Sequence, residues 1–240
     1  MDRYYCEEIS QAGVISLSDD QAHHALHVMR LRNGDKVELF DGRGQWAAAH
    51  AIVQKRQIQF EIVGDKHTSP PPPFELYIAT AIPKADRSEQ LVEAASQLGV
   101  HTVSWINYRR SVVKSGDTGG KMGKWRRIAI ESAKQCRRNW LMNIESPTPL
   151  SDFIHRCKMP MLFADPQSSM HLMAWAIPAT PPKQLTIFIG PEGGLSPDEV
   201  QTFQNCGAQA VSLGVHILRI ETAVAASAAI MGKLLMPPLS

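Results

Sequence analysis

The chain has 240 residues, 44% hydrophobic and 20% charged, with a formal net charge of +2, which allows one or two domains with a sizeable core. No apolar run approaches the ~18 residues of a membrane span, and the charged N-terminus has no signal-peptide pattern. Cys6, Cys136, Cys157 and Cys206 stand singly, with no CxxC pair, which argues against a disulfide framework or a cysteine-based zinc site and predicts a reducing, cytoplasmic setting.

In chain order, residues 1 to about 70 read as short strands, clearest at 46–53 and 58–63, with another at 36–40 before them and a helical interruption near 19–29. Asp41-Gly42-Arg43-Gly44 reads as a hairpin turn, and the whole as a small β-barrel. His23 and His27 have the i, i+4 spacing of a metal pair, but no third ligand or adjacent glutamate accompanies them, and no metal is assigned. Pro70 to Pro73 form a stiff extended spacer, the natural boundary to a second domain over residues 74–240. That domain opens with a strand at 74–82. A helix follows at 86–98, with Leu91, Ala94, Ala95 and Leu98 inward and Gly99 as its stop. Further strands are expected at 102–106 and 159–163. The Gly/Lys-rich stretch 115–124 falls one residue short of a phosphate loop and lacks its final Ser or Thr, so it reads as a mobile basic loop.

Charge is distributed unevenly. From Lys84 to Arg138 there are twelve Lys or Arg against five Asp or Glu, a net of +7, between flanks that net −3 and −2. Trp125, Ile128, Ala129, Ser132, Ala133 and Cys136 recur at helical spacing as one buried stripe. Arg126, Arg127, Lys134, Arg137 and Arg138 lie off that stripe and are expected to be exposed. A solvated helix face is the plain alternative, but so many exposed arginines suit RNA phosphates and bases better.

The last quarter carries the most informative feature, two glycine-bearing turns. Gly190-Pro191-Glu192-Gly193-Gly194 follows an apolar run at 185–189; Leu213-Gly214-Val215-His216-Ile217-Leu218-Arg219 follows one at 210–213. Each run reads as a buried parallel strand and each turn leads into a helix. In open α/β sheets, ligands bind beyond the carboxyl ends of the strands, where such turns lie. Ser196-Pro197-Asp198-Glu199 is a compact helix start, with Ser196 as N-cap, Pro197 at the first helical position and Glu199 completing a capping box. Val200 and Phe203 are expected in the core and Gly207 at the helix end. Neither a Walker A loop nor a GxGxxG spacing is met, and Glu192 would repel a phosphate. A ligand with an adenine and a ribose but no phosphate fits better. Arg219, Glu221 and Thr222 sit just before an Ala-rich helix expected over about 223–235. Arg219 and Glu221 either pair with each other, cap that helix, or serve a site.

The residues Gly190-Pro191-Glu192-Gly193-Gly194-Leu195-Ser196, Leu213-Gly214, Ile217-Leu218-Arg219 and Glu221-Thr222-Ala223 resemble the uracil-N3 methyltransferases of 16S ribosomal RNA, members of the SPOUT superfamily. The likeness extends to His27 through Asp35, Leu39-Phe40-Asp41-Gly42, Lys84-Ala85-Asp86-Arg87, Leu98-Gly99-Val100, Trp125, Ile128-Ala129, Gln135 and Arg138, and so covers nearly the whole chain. The chain departs from the family pattern at Ala85 and Arg137, where glycine is usual. It departs also at Gln97 (glutamate), His216 (arginine) and Ile220 (threonine).

The resemblance implies a trefoil-knotted parallel-sheet α/β methyltransferase domain preceded by a PUA-like RNA-binding β domain. It also implies S-adenosylmethionine as methyl donor, 16S rRNA within the small ribosomal subunit as partner, and a homodimer with its active site at the interface. The cofactor would touch three strand ends, at Phe163 and Ala164, at Ile189, Gly190 and Gly194, and at Leu213, Gly214, Ile217 and Leu218. Arg219 is the candidate catalytic cation for the uracil carbonyls, with Arg87 or Arg138 from a partner subunit as alternatives, and Glu221 either orients Arg219 or accepts the proton. Arg30, Arg32, Lys84, Arg87, Arg126, Arg137 and Arg138 are the candidate RNA contacts. A SPOUT enzyme acting on a ribose 2′-hydroxyl or another base, and a non-catalytic RNA-binding assembly factor, are the competing readings.

Overall fold

The structure, a computed structural model, describes residues 1–9, 14–16, 31–54, 57–84, 86–113, 120–175 and 182–235. The expected helix at 19–29, with His23, His27 and Arg30, lies outside the described residues, as does Ala85. The chain divides into two compact units, one of residues 1–71 with 133–141, the other of residues 72–132 with 142–240.

The first unit is a six-stranded sheet. Strands β1 (Asp2–Tyr5), β3 (Lys36–Phe40), β4 (Gln45–Gln54), β5 (Gln57–Ile62) and β2 (Val14–Ser16) lie side by side in that order, with β6 (His67–Thr68) also on β4. All pairs are antiparallel except β1 beside β3. Alternation decides the faces: Ala47, Ala49 and Ala51 of β4 join Val37, Leu39, Ile58 and Phe60 in one core. The β3–β4 hairpin is held by Asp41, whose Oδ1 accepts from the backbone N–H of Arg43 at 2.7 Å and of Gln45 at 3.0 Å. Gly44 has φ +95°, and a Cβ there would lie 2.6 Å from the Trp140 ring, so conformation and space both require glycine.

Segment 133–141 seals this sheet by way of Arg3. The guanidinium is buried, faces Glu38 at 2.5 Å, and donates to the carbonyl of Ala133 at 3.1 Å. It also bonds Asn139 Oδ1 and lies 4.4 Å over the Phe40 ring.

The second unit is a wholly parallel sheet in the order β12-β10-β11-β7-β8-β9. Its strands are β7 (Glu75–Thr80), β8 (Thr102–Asn107), β9 (Asn143–Pro149), β10 (Met161–Ala164), β11 (Gln184–Ile189) and β12 (Gln209–Val211). Helices α1 (Arg87–Gln97), α2 (Lys121–Cys136), α3 (Leu150–Arg156), α4 (Leu172–Trp175), α5 (Pro197–Asn205) and α6 (Ile220–Leu235) connect and cover it. Continuous apolar strands fit this burial: every residue of β11 from Leu185 to Ile189 is buried. Phe188 meets Phe153 of α3 edge-on and Phe203 of α5, and Phe203 stacks on Phe163. On α1, Leu91 and Ala95 are buried as expected, together with Ser96, whose hydroxyl bonds the Ala129 carbonyl of α2. Gly99 ends α1 with φ +83°.

Three expectations change at α2. Residues 121–124 of the supposed basic loop form its first turn, and the buried stripe stops at Ala133, leaving Cys136 exposed. Lys134 and Arg138 are half-buried rather than exposed. The helix ends in a Schellman-type reversal, the Arg138 N–H bonding back to the Ala133 carbonyl at 3.0 Å. Burial then pulls the Arg138 guanidinium down to about 10. The reversal places Arg137 at φ 59°, the one non-glycine residue with positive φ among those described. Arg137→Gly is expected to raise stability by about 1 kcal/mol by removing left-handed strain, read as a higher urea midpoint. An unchanged midpoint would mean that the side chain repays the strain through contacts of its own.

Candidate active site

The chain runs from β7 outward through β8 and β9, then returns to β10 and β11 on the other side of β7. Loops leaving β7 and β11 therefore meet where strand order reverses, the place at which open α/β sheets bind ligands. Register puts Phe163 opposite both Phe188 and Ala210, and Ala164 opposite Val211. The three strand ends singled out in the sequence thus lie level, side by side. Phe163 offers only its backbone there, because its side chain is buried against Phe203.

The first turn is rigidly built. Gly194, at φ +71°, donates its N–H to the Pro191 carbonyl at 2.8 Å. The capping box forms as read: Ser196 Oγ accepts from the Glu199 N–H, and Glu199 Oε2 accepts from the Ser196 N–H at 2.7 Å. The other Glu199 oxygen accepts from the Arg109 N–H at 2.7 Å, so this buried carboxylate also ties in the loop that follows β8. From the same loop, Arg110 donates to the carbonyls of Gly193 at 3.0 Å and Leu195 at 3.2 Å. Tyr108, fully buried beside them, bonds the Ala79 carbonyl, and burial pushes its phenol well above the ordinary tyrosine range. Arg87, at the start of α1, faces Glu192 at 4.0 Å. At Gly190 a Cβ would stand 2.9 Å from the Leu195 side chain, so this glycine gives room for the turn to fold on itself.

The second turn is laced to the segment after β10. The Ser212 N–H bonds the Met170 carbonyl at 2.8 Å, and the Leu172 N–H bonds the Ser212 carbonyl at 2.9 Å. Beyond it the chain is open: Gly214 has no neighbour where a Cβ would point, and Val215 and Ile217 are 93% and 85% exposed. Helix α6 begins at Ile220, earlier than expected, which puts Glu221 and Thr222 in its first turn. The Glu221 Oε2 atom is buried and has no hydrogen-bond partner among the described residues. Arg219 is exposed, and no ion pair between it and Glu221 occurs among the described residues. The simple pairing of the two is therefore not what the structure has. An unsatisfied buried carboxylate oxygen carries a cost that a bound donor or cation would relieve.

A family model for an RNA methyltransferase domain matches residues 70–232, and one for an RNA methyltransferase PUA domain matches residues 17–63. The first spans well over half of the chain. The chain belongs to this RNA methyltransferase family. It is 29% identical over 237 residues to the ribosomal RNA small subunit methyltransferase E of Bacillus subtilis, covering 93% of each chain. It is 30% identical to the protein of the same name from Synechocystis, covering 90% of this chain and 72% of the relative. The crystal structure of ribosomal RNA small subunit methyltransferase E from Neisseria gonorrhoeae, bound to S-adenosyl methionine, superposes with a TM-score of 0.86. It has 26% identity and 98% coverage of both chains. The fold is thus the SPOUT-type parallel α/β domain, with a PUA-type sheet domain before it, and the protein is a methyltransferase.

The candidate RNA contacts divide between the two units. Lys84 and Arg126 are exposed on the α/β unit, and Arg87 is engaged with Glu192. Arg32 and Arg137 are exposed on the first unit, where Arg138 is half-buried. Sequence reasoning missed Tyr108, Arg109 and Arg110. The available signal was an arginine doublet just past the carboxyl end of a predicted strand.

Proposed function

We propose that this protein transfers a methyl group from S-adenosylmethionine to N3 of one uridine in 16S rRNA, acting on the small ribosomal subunit as a cytoplasmic homodimer. The observations that carry this reading are the level alignment of three parallel strand ends and the buried, unsatisfied oxygen of Glu221 in the turn of helix that follows the second glycine loop. The residues present suit that donor. Glu221 and Glu192 are carboxylates that favour a cationic ligand. Arg110 Nη1 is turned to two backbone carbonyls of the first turn, and Val215 and Ile217 offer apolar surface for an uncharged nucleoside.

S-adenosylmethionine, when bound, supplies an activated methyl on a sulfonium centre. The backbone of residues 190–194 and 213–218, with Phe163 and Ala164, holds and orients it. Arg219 stabilises negative charge on the uracil carbonyls as N3 loses its proton, and Glu221 Oε2 accepts that proton. Arg219 is favoured over Arg87 and Arg138, because Arg87 already faces Glu192 and Arg138 is half-buried. The target base must be unpaired or flipped out to expose N3. The PUA-type unit, through Arg30 and Arg32, and the basic residues Lys84, Arg87, Arg126, Arg137 and Arg138 grip the RNA. Threading of the C-terminal segment through a trefoil knot, and a homodimer with this site at its interface, complete the reading.

The test uses small subunits from a strain lacking the modification, incubated with pure protein and labelled S-adenosylmethionine, followed by mass spectrometry of the nucleosides. N3-methyluridine at one site is expected. A 2′-O-methyl or other methylated nucleoside would move the protein to a sister activity. Absence of both label and cofactor binding would leave an assembly factor.

A further inference from the structure

We propose that Arg110 is a positioning residue that preorganises the first glycine turn for the methyl donor, an inference that rests on the reading of that turn as a cofactor site. The turn contains three glycines in five residues, and glycine loses more backbone freedom on ordering than any other residue. Something must hold it in one conformation before the ligand arrives, or binding bears that entropy. Arg110 does so through two peptide planes at once. The Gly193–Gly194 peptide has its carbonyl on Arg110 Nη1 at 3.0 Å and its N–H on the Pro191 carbonyl at 2.8 Å. The Leu195–Ser196 peptide has its carbonyl on the same nitrogen at 3.2 Å and its N–H on Glu199 Oε2 at 2.7 Å.

With both flanking planes fixed at each end, the Gly194–Leu195 peptide between them has its orientation set. Packing agrees: a Cβ on Gly193 would lie 3.2 Å from Arg110 Cβ and 3.6 Å from its carbonyl oxygen, so side chain and backbone of this arginine are both seated against the turn. The loop is anchored in its turn by the Arg109 N–H on Glu199 Oε1. The Arg109 side chain, by contrast, reaches Asp198 in an exposed ion pair, 71% and 80% accessible, which contributes little. Arg110 is also exposed, so its effect falls on the geometry of the turn and not on a core.

The experiment measures S-adenosylmethionine and S-adenosylhomocysteine affinity by calorimetry for the wild type, Arg110→Ala, Arg110→Lys and Arg109→Ala, with thermal midpoints and RNA affinity alongside. Arg110→Ala is expected to weaken both ligands about tenfold, the scale of one lost charge-assisted hydrogen bond. Its midpoint should fall by no more than a few degrees. Arg110→Lys, which keeps a cationic donor, is expected to recover most of the affinity, and Arg109→Ala to match the wild type. RNA affinity should not change. Unaltered ligand affinity in Arg110→Ala would overturn the proposal. So would a loss confined to RNA binding, which would make Arg110 an RNA contact instead. If the wild type itself binds neither ligand, the cofactor reading fails first and this proposal falls with it.

Discussion

Arg3→Met is expected to destabilise the protein by about 3–5 kcal/mol, read as a large drop in the urea midpoint, because it strands a buried carboxylate. Glu38, 9% exposed, faces Arg3 at 2.5 Å. Methionine fills much of the volume but leaves that charge without its counterion, and removes one hydrogen bond to the carbonyl of Ala133 and the one to Asn139 Oδ1. Burial lowers the Arg3 guanidinium from its ordinary value while Glu38 opposes the shift, so the ion pair is what keeps the charge tolerable there. Arg3→Met/Glu38→Gln should recover part of the loss, since neither charge then remains to be desolvated, and the cycle isolates the coupling between them. A single-variant cost near ~1 kcal/mol, the value for a surface pair, would show that water reaches Glu38 and that segment 133–141 is held by other contacts.

Nothing in the sequence announces Arg3. Its partners lie 35 to 136 residues away, and a lone arginine near an N-terminus carries no local pattern. The features that could be read ahead are those whose cause is local. Ser196, Pro197 and Glu199 cap α5 because three adjacent residues contain the whole interaction. The run 185–189 declares a buried strand by its unbroken apolar character. Strand β9, Asn143–Pro149, had no such signal: it is a polar edge strand specified by pairing with β8. The start of α6 was misplaced because Glu221 and Thr222 look like loop residues until the Ala223 N–H is seen bonded to the Arg219 carbonyl. Periodicity assumes one continuous face, and so extends the stripe along α2 to Cys136 and leaves Arg138 on the exposed side. The helix instead reverses at Arg137, and the chain beyond it packs with the first unit. The candidate site divides in the same way. Its glycine turns are sequence motifs, whereas the Arg110 side chain and the Arg109 backbone N–H that brace the first of them come from the loop after another strand.

Arg219→Ala is expected to lower kcat about 10²–10³-fold while leaving S-adenosylmethionine affinity within about threefold, the pattern for a group that acts on developing charge. Arg219 is exposed and outside any ion pair among the described residues, so it is available to the uracil carbonyls when RNA is bound. Glu221→Gln keeps the shape of the side chain but removes the proton acceptor, and about 10²-fold is expected from kcat. The two variants should differ in their response to pH. With Gln at 221, N3 must lose its proton to water or hydroxide, so the rate should climb steadily with pH through the range in which the wild type has levelled off. The rate of Arg219→Ala should be lower throughout but level off as in the wild type, because Glu221 still accepts the proton. If the residues act as one unit, the double variant will be scarcely slower than the worse single one. A kcat for Arg219→Ala within threefold of wild type would remove it from the chemistry, and Arg87, freed from Glu192 when substrate enters, would take its place as the cation to test. Should Glu221→Gln instead weaken S-adenosylmethionine binding and spare kcat, the buried Oε2 atom serves to hold the cationic donor, and the proton leaves by another route.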